Sequence, residues 1–281
     1  MLKIPYEIYN KCEITIEYRR NQEMKVADMM NLTGKVAIVT GGSGLFGQQI
    51  CRTLCEMGAK LSITHLRPAK IEFSNQLNSE GYDTESVFMD LSSEESIIAY
   101  RDHVIEKYGK VDILVNNAVV RAGGDIEHTT KEQWEFTSKN NSTGTFLMCK
   151  YFLEPMVAQK SGTILNIGSI QGCAGPNFPV YGNTGMTSPV FYTYEKWGIV
   201  GLTKYIANAY GKHGIRCNCI SPGGYYDGQP EEFVQNYNRL TPLGRMANDD
   251  DLKGAIAFFT SDASQYVTGQ NLPVDGGWTS W

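Results

Sequence analysis

The chain has 281 residues, 42% of them apolar, and a formal net charge of −5. That size suits one large α/β domain or two small ones with a substantial core; the mild acidity, with no basic cluster beyond Tyr18-Arg19-Arg20, argues against a nucleic-acid or anionic-membrane surface. Seven scattered cysteines and four dispersed histidines make no zinc spacing, so no metal is expected and the thiols read as buried and free in a reducing compartment; with no signal-peptide core and no long uncharged apolar run, a cytoplasmic protein fits.

Residues 1–31 read as an N-terminal extension and 32–281 as a nucleotide-binding catalytic domain. In the extension Ile14, Ile16 and Tyr18 alternate with polar residues as in a short strand; an unstructured leader, or a start at Met29 or Met30, is the plainer alternative. Lys35 to Gly47 then organises the chain. Val36 to Val39 has the β-branched content of a buried parallel strand, and it runs into a glycine-rich turn followed by a helical pattern. Gly41 permits the turn, Gly44 lets backbone approach a pyrophosphate, and Gly47 lets the helix pack on the strand, with free amides facing an anion.

From Phe46 to Met57 a helix is expected, ending at Gly58; Lys60 to Thr64 reads as a second strand, Pro68 opens a helix, and a third strand ends at Asp90. Ser93 caps a helix that runs to Tyr108 and stops at Gly109, and Val111 to Val115 is a fourth strand ending in Asn116-Asn117-Ala118. Thr130 and Gln133 form a capping box, and the helical pattern resumes through Phe146, Leu147 and Lys150. Thr163 to Ile167 is strand five, Ile199 to Tyr210 continues a helix, Ile215 to Ile220 is strand six, Asp249 to Thr260 another helix and Asn271 to Val274 the last strand. Strictly alternating strands and helices with long crossovers specify a single-domain, doubly wound parallel sheet of Rossmann type with helices on both faces.

Together these pieces resemble the short-chain dehydrogenase/reductase family, compact branch, over about Leu32 to Gly277. The resemblance rests on Thr40-Gly41 with Gly47, Asp90, Asn116-Asn117-Ala118, Asn141 ahead of Gly144-Thr145-Phe146, Asn166-Ile167-Gly168-Ser169, Tyr192-x-x-x-Lys196, Asn218-x-x-x-Pro222-Gly223, and Thr268-Gly269 with Asp275-Gly276-Gly277. Two positions depart from it: Leu45 stands where the compact branch has its second glycine, with Gly44 in that role, and Val119 rather than glycine follows Ala118. Gly168-Ser169-Ile170-Gln171-Gly172 and Ser221-Pro222-Gly223-Gly224 are similar to a bacterial subgroup associated with sugar acids, polyols and cell-surface sugars.

Reducing a ketone with a nicotinamide needs a proton donor at the carbonyl oxygen, and a tyrosine hydroxyl is too weak an acid unless a cation favours its phenolate. Lys196, four residues on along a helix, supplies that cation beside Tyr192. With sixteen tyrosines such a pair arises about once by chance; its place after strand five and Ser169 singles it out, and Tyr181 and Tyr194 are each followed at that spacing by a glycine. Ser169 would polarise the substrate oxygen, and Asn141, by the resemblance, would hold a water for proton relay to Lys196. The cofactor cradle that the resemblance implies comprises Gly41, Ser43, Gly44, Leu45 and Gly47, then Asp90 and Leu91 near the adenine. Asn116, Asn117 and Ala118 follow at the ribose side, with Tyr192, Lys196, Pro222 and Gly223 at the nicotinamide end.

The stretch Pro176 to Pro189, rich in Gly, Pro, Asn, Ser and Thr, is an extra loop between Ser169 and Tyr192 that should rim the substrate pocket, with Tyr225 to Pro230 as a second rim. NAD-specific relatives carry an acid at the end of strand two; here that place is His65 with Arg67 beyond, which favours NADP(H) over NAD(H). The expected activity is interconversion of a secondary alcohol and a ketone on a small polar substrate such as a sugar acid or polyol. The alternatives are a 3-oxoacyl thioester reductase and a non-catalytic cofactor-binding sensor or scaffold. The resemblance also implies a homotetramer or homodimer built on Gly144 to Lys160 and Tyr192 to Gly211.

Overall fold

The β-branched and apolar runs that punctuate the sequence become seven parallel strands, ordered β3-β2-β1-β4-β5-β6-β7 in one sheet. They are β1 (Val36–Thr40), β2 (Lys60–His65), β3 (Thr84–Phe88), β4 (Ile113–Asn116), β5 (Gly162–Ile167), β6 (Ile215–Pro222) and β7 (Asn271–Val274). The computed structural model describes residues 24–67 and 71–281, so the expected strand from Ile14 to Tyr18 and the helix start at Pro68 lie outside the described residues.

Period-two alternation divides the strand side chains between two cores. Ala37 and Val39, Ile113 and Val115, and Leu165 and Ile167 face one side, where α2 (Leu45–Glu56), α3 (Ile71–Ser79) and α9 (Lys253–Thr260) cover them. Ile38, Leu114 and Ile164 face the other, under α4 (Glu94–Tyr108), α6 (Gly144–Gln159) and α7 (Val190–Tyr210). Burying each such Ile, Leu or Val is worth about 1.5–3 kcal/mol before chain entropy is counted. Continuous burial along β1 and β5 explains why neither shows a polar face in sequence. Strand order reverses between β1 and β4, which opens a crevice at their carboxyl ends.

Local signals acted as expected at several ends. Ser93 Oγ accepts from the Ser96 amide, Gly109 closes α4 at φ 72°, and Thr130 and Gln133 form a reciprocal capping box on α5 (Lys131–Thr137). Helix α7 carries Tyr192 and Lys196 and continues through Ile199 to Tyr210 as expected; it begins at Val190, with Pro189 as its N-cap directly behind the loop. Elsewhere packing moved a boundary. α9 begins at Lys253 rather than Asp249, since Asp251 is held in a turn by Arg245 at 2.6 Å. α1 (Val26–Met29) and α8 (Glu231–Leu240) were not foreseen; α8 follows Pro230 and buries Phe233 and Tyr237, one turn apart. A six-residue π-helical turn, Ser138–Thr143, joins α5 to α6.

Candidate active site

Where β1 ends, Gly41 takes φ 62° and its carbonyl accepts from the Gly44 amide at 3.0 Å. A Cβ on Gly47 would stand 2.4 Å from the Gly41 oxygen, so the first turn of α2 seats on the loop only with glycine there. The N-cap of α2 is Gly44, with no side chain bonded to the first amides, which therefore remain available to an anion. Ser43 is buried beneath the loop and Leu45 exposed above it. Thr40 Oγ1 accepts from the Asn117 and Ala118 amides at 2.9 and 3.0 Å, and Asn117 Nδ2 donates to the Thr40 and Gly41 carbonyls at 2.9 and 3.1 Å. Asn117 thus ties the end of β4 to the glycine loop. Asn116, read as lying by the adenosine ribose, instead turns into the interior, where it donates to Asn166 Oδ1 at 2.8 Å.

At the end of β2, His65 is only 8% exposed. Its Nδ1 pairs with Ser86 Oγ at 2.8 Å, its ring meets Phe88 edge-on, and burial pulls its pKa below the ordinary histidine value. The imidazole is thus biased toward its neutral form and tucked against β3, and Arg67, exposed two residues on, is the cation of this corner among the described residues. Asp90 Oδ1 accepts from the Ser92 amide at 2.8 Å, and Leu91 lies so close to α6 that a Cβ on Gly144 would stand 2.7 Å from its oxygen. Gly223 donates its amide to Val274 at 3.0 Å, fixing the Pro222-Gly223 turn at the end of β6.

The proposed proton-handling groups gather at the ends of β5 and α7. Ser169 is buried, and its Oγ accepts from the Gln171 amide at 3.1 Å, which leaves the hydroxyl proton to donate. Lys196 Nζ lies 5.3 Å from the centre of the Tyr192 ring and donates to the Ile167 carbonyl at 2.7 Å. From the opposite wall Arg121 places its guanidinium carbon 5.7 Å from the same ring. Asn141 sits on the π-helical turn: its Oδ1 accepts from the Val120 amide at 2.8 Å, and its Nδ2 donates to the Val120 carbonyl at 2.9 Å and to Glu195 Oε2 at 2.7 Å. Adjacent Asn140, on the same turn, donates its Nδ2 to the Phe136 carbonyl of α5 at 2.9 Å instead.

Ser169 and Tyr192 open onto a cleft of about 310 Å³. Eight residues of the Pro176–Pro189 stretch line it, from Pro176 and Asn177 through Val180 and Met186 to Pro189, and Tyr225, Asp227 and Gln229 supply the second rim. Gln171 ties the loop down: its Oε1 accepts from Ser188 Oγ and from Thr193 Oγ1, each at 2.8 Å. Phe233 of α8 stacks on Tyr181 at 5.6 Å, and Tyr237 stacks on Trp278 at 4.2 Å, giving the cleft an aromatic wall. Arg121, Glu195 and α8 escaped the sequence reading, and Gln171, quoted there within a motif, was given no role. Arg121 carried a usable signal of its own, standing just beyond Asn-Asn-Ala at a strand end where open sheets bind ligands.

The glycine cradle that a Cβ at Gly47 would fill, and the uncapped amides of α2, fit the pyrophosphate of a dinucleotide. When bound, a nicotinamide would supply the hydride donor or acceptor. Ser169 would orient the substrate oxygen, Tyr192 would hold or give the proton, and Lys196 would place positive charge beside it. Among the described residues no cluster of three His, Cys, Asp or Glu could hold a metal, and no helix is long and apolar enough to cross a membrane. The described cysteines are free; burial raises the Cys51, Cys55, Cys149, Cys217 and Cys219 thiols, which keeps them protonated.

Comparison with known proteins agrees with this geometry. The family described as enoyl-(acyl carrier protein) reductase matches residues 43–279. A 3-oxoacyl-[acyl-carrier-protein] reductase of Chlamydia trachomatis is 31% identical over 252 residues, covering 88% of this chain and 98% of its own. A gluconate 5-dehydrogenase from Burkholderia cenocepacia, solved with NADP and tartrate, superposes with a TM-score of 0.84 at 27% identity, over 92% of this chain and 100% of its own. A short-chain dehydrogenase from Leptospira borgpetersenii with bound NAD+ gives 0.82 at 32% identity, over 93% and 100%. With fold, glycine loop and Ser-Tyr-Lys constellation in place, the chain belongs to the short-chain dehydrogenase/reductase family, as an NAD(P)-dependent oxidoreductase interconverting CH–OH and C=O groups.

Proposed function

We propose that the substrate is a small polyhydroxylated acid whose secondary alcohol is oxidised, or whose ketone is reduced, at Tyr192, with Asn141, Ser169 and Lys196 in support. Arg121 carries this reading. It is the sole cation lining the cleft, it faces Tyr192, and it has no hydrogen-bond or ion-pair partner among the described residues. A guanidinium so placed suits bidentate contact with a carboxylate. Gluconate 5-dehydrogenase, solved with tartrate, offers a neighbour whose named substrate and bound molecule are both hydroxy acids. Arg67 supports NADP(H) over NAD(H), Phe146 and Tyr205, exposed on α6 and α7, support a homodimer or homotetramer, and the free thiols among the described residues suit the cytoplasm.

A second reading, reduction of a 3-oxoacyl thioester, is favoured by the apolar cluster of Val180, Phe233, Tyr237 and Met246 against the cleft and by the Chlamydia relative. Nicotinamide turnover across aldonates, keto acids, polyols and 3-oxoacyl thioesters separates the two. The acid reading expects the highest kcat/KM for a hydroxy or keto acid, and an Arg121→Met change that raises its KM about tenfold or more with kcat less affected. Preferred turnover of a thioester or of an uncharged polyol, indifferent to Arg121, would overturn it.

A further inference from the structure

A second cavity of about 590 Å³ shares no lining residue with the substrate cleft. It is bounded by Asn116, Asn141, Ile167, Glu195 and Lys196, with the exposed Trp197 at its rim. Glu195 is the unexpected member. Its side chain belongs to a residue only 8% exposed; Oε2 accepts from Asn141 Nδ2 at 2.7 Å, and Oε1, also buried, has no hydrogen-bond partner. Buried carboxylate oxygens rarely stay unpaired without a function or a water to meet them, and a cavity of this size, mostly apolar but with Asn116, Asn141, Glu195 and Lys196 together on its wall, has room and partners for water.

Asn141 cannot itself carry protons through its side chain, because both amide hydrogens and its oxygen are already engaged by Val120 and Glu195. The groups facing Glu195 are Asn141 from the π-helical turn and, from α7, Lys196 and Tyr194; among these Lys196 is the charged one. The requirement for a path is chemical. When an alcohol is oxidised, the carbon-bound hydrogen leaves with its electron pair as hydride, and the hydroxyl proton passes to the Tyr192 oxygen; that proton must reach solvent before the next turnover.

We infer that Glu195 is the positioning residue that returns this proton to solvent, by way of water in the second cavity and Lys196. In the oxidative direction Lys196 gives one ammonium proton to a cavity water, that water gives one to Glu195 Oε1, and Lys196 regains a proton from the Tyr192 side. The O–H bond on Glu195 then breaks toward solvent, restoring the carboxylate. Ketone reduction runs the same transfers inward, and no redox change occurs along the path. Burial, partly opposed by Asn141 and Lys196, lifts the carboxyl above the ordinary glutamate range, which brings its proton affinity nearer that of its neighbours. The inference rests on the reaction class and not on the hydroxy-acid reading, so any alcohol that the enzyme oxidises serves for its test.

Glu195→Gln keeps an acceptor oxygen for Asn141 and removes the titrating site. In single-turnover alcohol oxidation at low buffer, hydride transfer is followed by nicotinamide absorbance and proton release by an indicator dye. In the unmodified enzyme the two keep pace. In the glutamine variant proton release should lag hydride transfer by about tenfold or more, and added imidazole should abolish the lag by carrying the proton instead. Proton release that keeps pace in the variant would overturn the inference. So would a loss of both rates together that imidazole does not restore, because that marks a brace between the π-helical turn and α7 and nothing more.

Discussion

The Lys196 ammonium donates to the Ile167 carbonyl at 2.7 Å, anchoring a cation on α7 to the last residue of β5, two residues ahead of Ser169. One bond thus fixes the cation with respect to both Tyr192 and Ser169. Tyr192→Phe should lower kcat by about a thousandfold while dinucleotide affinity, read by fluorescence titration, stays nearly unchanged. Lys196→Ala should reduce both. It should also cost about 1–3 kcal/mol of stability in urea denaturation, because the buried Ile167 oxygen loses its donor. Near-normal turnover in the phenylalanine variant would remove Tyr192 from the chemistry.

Gly47→Ala places a methyl 2.4 Å from the Gly41 oxygen, and relief requires moving backbone rather than a flexible side chain. The expected cost is about 1–3 kcal/mol, seen as a lower thermal midpoint, with dinucleotide affinity falling alongside. Unchanged affinity would mean that the loop is a turn and not a phosphate cradle.

Coenzyme choice should turn on Arg67 alone. Arg67→Ala is expected to cut kcat/KM with NADPH about tenfold, the effect of one charge-assisted contact near 1.4 kcal/mol, with little change for NADH. His65→Asp should not switch the preference; it buries a carboxylate against Phe88 and Ser86 and should destabilise the fold. An unmodified enzyme equally efficient with both coenzymes would refute the phosphate contact.

The Glu195 carboxyl sits above its unfolded value because it is buried. Below the ordinary glutamate range, near pH 4.3, both states hold the proton; as pH rises the unfolded chain releases it first, so stability is lost through the folded pKa. Glu195→Gln, which cannot ionise, should therefore be more thermally stable than the unmodified protein at neutral pH, with the margin closing as pH falls. A margin that does not vary with pH would show that the carboxyl is not perturbed.

Much of this was legible from the chain. Buried strands declare themselves by apolar and β-branched runs, so β1 and β5 were found nearly residue for residue, and caps such as Ser93 and Thr130 mark helix ends because the bonds they make are local. The family's Ser-Tyr-Lys order pointed to three side chains, of which the structure sets Ser169 and Tyr192 on the cleft and Lys196 beside the tyrosine ring. What stayed hidden depends on contacts distant in sequence. Nothing near His65 shows that Ser86 and Phe88 enclose it, nothing near Arg121 shows that it faces Tyr192, and Glu195 reads as a surface glutamate until the π-helical turn brings Asn141 against it. Helix α8 was missed because Pro230 looked like the end of a rim when it is the entry to a helix.

The single amide oxygen of Gln171 holds both Ser188, near the end of the inserted loop, and Thr193, beside Tyr192. Chain leaving the fifth strand is therefore clasped again at the entry to α7, and the stretch between is a closed cassette that rests on α8 through Val180 and Tyr181. Lengthening or shortening that cassette, as from Asn177 to Thr187, would reshape the mouth of the cleft without shifting the tyrosine. Substrate range in such a scaffold can diverge by insertion and deletion, while the chemistry it serves stays in register.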